Sequence, residues 1–181
     1  MSKSARKPID VIQCPVELNY NISAGIARTI FLRGIKQGKL IGQRSPLTGL
    51  VTIPSRGPCP QSGLENIEEV LLPDTAIVKS FTIVHLPIPN SALKPPSIVA
   101  NLLIDGADQH LIHLVGGCKN EDVHIGMRVK AVWRDKSEWG YTLDNIAYFE
   151  PSGEPDVDIE ALQVSRLEQA RRYAQAKVET Q

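Results

Sequence analysis

Aromatic residues make up only 5% of this 181-residue chain, and neither sign of charge is in excess: 20 Lys and Arg balance 20 Asp and Glu. A missing basic excess weighs against a dedicated nucleic-acid binder, which gains affinity by displacing counterions from phosphates. Scarce aromatics weigh the same way, because single-strand binders stack bases on exposed rings. The three cysteines, Cys14, Cys59 and Cys118, are far apart and odd in number, which argues against a disulfide framework. No apolar run approaches the roughly 20 residues needed to span a bilayer. The basic opening MSKSARKPID leads into no apolar stretch of the kind a secretory signal carries, so the expected compartment is the cytoplasm. A Ser-His-Asp order, a Gly-rich phosphate loop and paired carboxylates in one credible site are also lacking, and no catalytic residue is assigned.

What is present divides into four stretches: an arm and helix over 1–37, a turn-rich segment over 38–72, a strand-rich domain over 73–150, and a linker with a tail helix over 151–181. Residues 1–20, with Pro8 and Pro15, read as an extended arm. A helix is predicted from about Ser23, as N-cap, to Gln37, with Gly38 as its stop. Its apolar positions Ile26/Ala27, Ile30/Phe31 and Ile35 fall on one face at helical spacing. The segment KLIGQRSPLTGLVTIPSRGPCPQSG then reads as two tight turns joined by a hairpin.

Beyond residue 73 the period becomes that of strands. TAIVKSFTIVHL, SIVANLLID, HLIHLVGG, RVKAVWRD and GYTLDNIAYFE are five β-rich segments, with a proline-rich loop after the first. A short helical turn closed at Gly126 is expected in CKNEDVHIGM. Five strands without alternating helices predict a mainly β chain built on a small OB-type barrel. Phe81 and Ile83 are expected in its core. In the tail, Asp156 or Asp158 can cap a helix running to about Lys177, and a docked and a solvated helix both suit its partial apolar stripe.

His110 and His113 are three apart on a predicted strand and point to opposite faces, so they do not form a metal pair. Asp105 and Asp108 flank Gly106 and read as hairpin-turn residues. Asp10, Glu17 and the Glu65, Glu68, Glu69 cluster read as solvated charge.

The order helix, paired turns, barrel resembles the acyl-CoA-associated OB-fold family, formerly domain of unknown function 35, whose members carry an N-terminal rubredoxin-like zinc ribbon. The resemblance covers roughly residues 24–150. It is carried by Gly38-Lys39-Leu40 leading to Gln43-Arg44, by Gly57-Pro58-Cys59-Pro60 with Gly63, by Ser80 to His85, and by Glu121 to Val129. The family's ribbon holds zinc with two C-x-x-C pairs. The equivalent positions here are Ser45, Thr48, Cys59 and Ser62. One thiolate with three neutral hydroxyls is a poor zinc donor set, so zinc is not expected and the ribbon is read as degenerate. Cys59 reads as a vestigial ligand position, since no nearby His supplies a base.

The resemblance implies a non-catalytic companion subunit of a thiolase-like or other acyl-CoA-processing enzyme. It would contribute to complex assembly and to CoA or acyl-CoA binding, with no cofactor held tightly. Candidate contacts for CoA phosphates are Arg44, Arg56 and Lys94, as phosphates favour Arg and Lys. The Ile26, Ile30 and Phe31 stripe is the candidate partner surface, because a five-stranded barrel closes its own core. Single-stranded nucleic-acid binding is the alternative for an OB barrel.

Overall fold

The computed structural model describes residues 14–65, 68–87 and 93–179. Asp10, the basic opening and the middle of the proline-rich loop lie outside the described residues. From residue 14 to 22 the chain has no regular secondary structure and is exposed throughout. It then enters helix α1, Gly25–Lys36. At its end Gln37 N and Lys39 N donate to Gly34 O at 2.8 and 3.0 Å. Gly38, at φ +71°, makes the expected stop, and the Trp139 ring lies so close that a Cβ there would sit 2.6 Å from it. Backbone freedom and close approach both select glycine at this position.

Three short antiparallel strands follow: β1 (Leu40–Arg44), β2 (Val51–Thr52) and β3 (Glu68–Leu72), in the order β2-β1-β3. Two knuckles with one hydrogen-bond pattern flank β2. Ser45 N donates to Leu50 O (2.9 Å) and Gly49 N to Ser45 O (2.8 Å). In the second, Cys59 N donates to Leu64 O (2.7 Å) and Gly63 N to Cys59 O (2.8 Å). Between them the buried Ser55 hydroxyl donates to the buried Gln43 side-chain carbonyl, so neither polar group is stranded.

The barrel comprises β4 (Thr75–Val84), β5 (Ser97–Ile104), β6 (Leu111–Val115), β7 (Arg128–Trp133) and β8 (Ile146–Pro151), closed in the order β4-β5-β6-β8-β7. Every pairing is antiparallel except β6 with β8, which meet in parallel at Val115 and Phe149. This is the five-stranded OB fold that the period-2 segments predict. Two expectations need correction. The stretch 118–127 forms successive turns and no helix. In GYTLDNIAYFE the strand begins only at Ile146, after a 3-10 turn at Leu143–Asn145.

That turn has a purpose visible in its packing. Asn145 is 1% exposed, and a buried amide needs partners. Its Nδ2 donates to Ile35 O at the end of α1 (3.0 Å) and to Gly140 O (2.9 Å), while its Oδ1 accepts from Gly140 N (2.9 Å). The helix is thus tied to the barrel by a residue far away in sequence.

One apolar cluster runs through both parts. Ile35, Leu40, Val51 and Ile53 from the N-terminal segment join Val78, Leu102, Ile104, Val129 and Phe149 of the barrel, all 1% exposed or less. Phe81 and Ile83 face the core as expected, but both are only half-buried at its edge. In β4 the pairing shifts between Val78, opposite Leu102, and Ser80, opposite Asn101, so Lys79 is a bulged extra residue. The bulge keeps Val78 and Phe81 both facing inward across an odd spacing.

The tail helix, α2 (Ile159–Glu179), is capped by Asp158, whose Oδ1 accepts from Glu160 N (2.9 Å) and Ala161 N (3.2 Å). It is docked. Ala170 is 4% exposed and lies against Gly49 of the first knuckle. Arg166 meets Asp108, and Tyr173 donates to Glu68. No helix among the described residues is long and apolar enough to cross a membrane.

Candidate functional site

The four knuckle positions Ser45, Thr48, Cys59 and Ser62 come together around one sulfur. Hydroxyl-bearing residues at fixed offsets satisfy the turn amides: Thr48 N donates to Ser45 Oγ (3.3 Å), Leu50 N to Thr48 Oγ1 (3.4 Å) and Leu64 N to Ser62 Oγ (3.3 Å). The same side chains then turn toward Cys59, with Thr48 Oγ1 at 3.4 Å from its Sγ. Burial raises the thiol's pKa, but hydrogen bonds from the Ser62, Thr48 and Ser45 side chains and from the Ser62 backbone outweigh it and bring it to about 6. The buried sulfur thus sits among hydroxyls that favour its thiolate form. As a zinc site the set does not fit, because three of its four groups are neutral oxygens. Among the described residues no cluster of three or more His, Cys, Asp or Glu is placed to hold a metal.

The three candidate phosphate contacts lie apart. Arg44 is committed to the fold: Nη1 donates to Gly49 O (3.1 Å), Nε faces Glu68 (3.6 Å), and the guanidinium stacks 4.7 Å from the centre of the Tyr173 ring. Glu68 therefore is not a solvated charge; it joins β1, β3 and α2. Arg56 is exposed beside the start of α1, near Arg28. Lys94 is exposed where the described chain resumes, and its carbonyl accepts from Ser97 Oγ (2.7 Å).

The predicted partner stripe divides. Phe31 is 3% exposed and belongs to the chain's own core, because the C-terminal half of α1 packs on the ribbon and barrel. Ile30 is half-buried, and Ile26 is 80% exposed. The apolar surface instead extends backward along the arm. Val16, Leu18, Tyr20 and Ile22, alternating with Glu17, Asn19 and Asn21, are each more than 70% exposed. The period of two was the signal available in the sequence, and among the described residues this segment joins no strand.

Asp105 and Asp108 are more than turn residues. Asp105 accepts a two-armed bond from Arg128 (2.6 and 2.8 Å) and another from Thr75. These bonds, opposed by burial, hold its carboxyl below the usual range. Asp108 accepts from Val51 N (2.8 Å) and from two nitrogens of Arg166 (3.2 and 3.1 Å), joining ribbon, barrel and α2. Beside Asp108 and Arg166 lies a cleft of about 420 Å³, lined from the second knuckle by Pro60 and Gln61, from β4 by Lys79 and from α2 by Gln163 and Leu167. Nothing in the sequence marked Lys79 except a lone cation inside an apolar strand.

The aromatics of the last strands are used in packing. Trp133 and Trp139 lie 5.4 Å apart, and each indole N–H has a partner, Asp74 for Trp133 (3.1 Å) and Arg134 O for Trp139 (2.9 Å). His113 packs edge-on against Phe149, and burial lowers its pKa. Cys118 packs against the core at a strand end.

A DUF35 domain-containing scaffold protein of Methanocaldococcus jannaschii is 35% identical over 103 residues, which span 56% of this chain and 72% of that protein. The chain belongs to the DUF35 family. The profile of the ChsH2 C-terminal OB-fold domain matches residues 69–134 of this DUF35 protein, from β3 through β7. Solved structures with a similar fold include two that illustrate the family's shape. One is a chain of the Ltp2-ChsH2(DUF35) aldolase, 22% identical, with a TM-score of 0.56, covering 73% of this chain and 99% of that one. The other is a DUF35-family protein of unknown function from Sulfolobus solfataricus, 22% identical, with a TM-score of 0.55, covering 71% and 87%.

Proposed function

We propose that this DUF35 protein is a non-catalytic companion subunit that docks on a thiolase-like or other acyl-CoA-processing enzyme and helps assemble the complex. The observation that carries this reading is the row Val16, Leu18, Tyr20, Ile22 and Ile26: five large apolar residues in one short stretch, each more than 70% exposed. Single exposed apolar residues are ordinary, but a contiguous row is the mark of an interaction surface. An arm whose apolar residues alternate in sequence with polar ones suits addition to a partner's sheet edge. Support comes also from the relative named a scaffold protein and from the similar chain found within an aldolase. Arg56 and Lys94 are the exposed candidates for CoA phosphate contacts in such a complex; Arg44 is less available, since its Nη1 donates to Gly49 O and its guanidinium stacks on the Tyr173 ring.

The test is co-purification with the thiolase-like enzyme encoded in the same genome. Deleting residues 1–23 should abolish capture and leave the melting temperature unchanged, because the deletion stops short of Phe31 and Ile35. A Leu18→Asp, Tyr20→Asp double variant should do the same. Capture that survives both changes would end the arm's role. Salt-sensitive binding of a single-stranded oligonucleotide, with no capture of the enzyme, would favour the nucleic-acid alternative.

A further inference from the structure

We infer that the cleft between the second knuckle, the β4 bulge and α2 binds a small carboxylate with an apolar body, with the Lys79 ammonium as its anion anchor.

Charge in the cleft decides the sign of the ligand. Three ionic side chains line it: Lys79, Asp108 and Arg166. Asp108 and Arg166 neutralise each other and have further partners. Val51 N donates to Asp108, Arg166 Nη1 donates to Gln169 Oε1 (2.7 Å), and Nη2 donates to Gly106 O (2.6 Å). Lys79 is half-buried, and its ammonium has no ion pair or hydrogen bond among the described residues. The ionic lining thus leaves one positive charge over, which matches a monoanion.

The walls decide the rest. Leu50, Pro60, Leu103, Ala107 and Leu167 supply apolar surface, while Gln61, Gln109 and Gln163 supply amides able to donate to a carboxylate. A volume of about 420 Å³ falls at the small end of ligand pockets. An apolar lining with a few convergent polar groups is the general character of such sites.

The bulge explains how the lysine is placed there. In an uninterrupted β4, Lys79 would have a ladder partner on β5; as the inserted residue it has none, and bulges recur where a strand must re-aim one side chain beside a site. A long, strongly hydrated ammonium in an apolar setting gains most from a ligand that brings its own negative charge. This proposal does not depend on the partner reading, since the cleft is complete within one chain.

Octanoate is the probe, titrated into the full-length protein and followed by shifts of the Leu103 and Leu167 methyl resonances. Saturable shifts are expected, with octanol and octylamine binding at least about tenfold more weakly, the loss typical of one charge-assisted contact. Lys79→Glu should weaken octanoate by at least that factor, and Lys79→Arg should retain it. Gln163→Glu, which adds a negative charge on the helix without touching the barrel, should weaken it too, and covers the case in which Lys79→Glu disturbs the strand. Equal binding of octylamine, indifference to both glutamate variants, or an absence of saturable shifts would each overturn the proposal. So would a cleft that ignores octanoate and instead shifts on addition of the thiolase-like enzyme, which would make it a protein contact.

Discussion

Gly49 and Ala170 touch backbone to backbone: a Cβ on Gly49 would lie 2.2 Å from the Ala170 carbonyl oxygen. Gly49 also has φ +71°, so two independent reasons select glycine there. Gly49→Ala should cost about 1–2 kcal/mol from the left-handed backbone alone, and the collision should lift α2 from the knuckle. Limited proteolysis should show early cleavage in the tail, with the barrel fragment intact. A variant as resistant as the parent would show that α2 docks through Arg166 and Tyr173 without this contact.

That ion pair is the second contact. Asp108 and Arg166 are mostly buried, at 10% and 19% side-chain exposure, and removing one partner leaves the other charge uncompensated. Asp108→Ala should lower stability by about 3 kcal/mol, the low end for breaking a buried pair because part of this one reaches solvent. Chemical denaturation of the two single variants and the double variant measures the coupling. A double variant no more stable than predicted by adding the singles would refute it.

The knuckle geometry makes a third prediction. The hydroxyls of Ser45, Thr48 and Ser62 gather around Cys59 at positions suited to a four-sulfur site. The parent should hold no stoichiometric zinc by elemental analysis. The triple variant Ser45→Cys, Thr48→Cys, Ser62→Cys should bind about one zinc per chain and melt higher with the ion, because structural zinc adds its binding free energy to folding. Zinc in the parent, or none in the triple variant, would contradict this account.

Cys59 gives a pH dependence whose sign is fixed. Its pKa falls from about 9 in the unfolded chain to about 6 when folded, so the folded state favours the thiolate. The associated stability is fully present above pH about 9, falls as pH drops, and is gone below pH about 6. Relative to a Cys59→Ser variant, the parent should therefore gain stability from pH 6 to pH 9. Thiolate absorbance should show a step near pH 6 that the variant lacks. Burial and the Asp122 charge push the Cys118 thiol upward, so it does not contribute there.

Core position separates two phenylalanines. Phe149 is wholly buried, and Phe149→Ala should cost about 3–5 kcal/mol. Phe81, half-buried at the barrel edge, should cost clearly less when truncated. Equal losses in denaturant midpoints would show that the edge is better covered than its exposure indicates.

The sequence by itself determined most of the elements, though not β3, whose Glu68 and Glu69 read as solvated charge. Period-two runs marked all five barrel strands, and Gly38 closed α1 where expected, because side-chain alternation and left-handed glycines act over a few residues. The paired turns were legible for the same local reason, and the resemblance to the family supplied the four positions that converge. Tertiary structure alone decided what the charges do. Arg166 finds Asp108 across 58 positions, Tyr173 finds Glu68 across 105, and Asn145 finds Ile35 across 110. No local pattern links such residues, so Glu68 and Asp108 looked like solvent and turn charges until the helix lay over them. It also decided which half of one apolar stripe is core: Phe31 is covered by the ribbon and barrel, while Ile26, five residues earlier, stays 80% exposed.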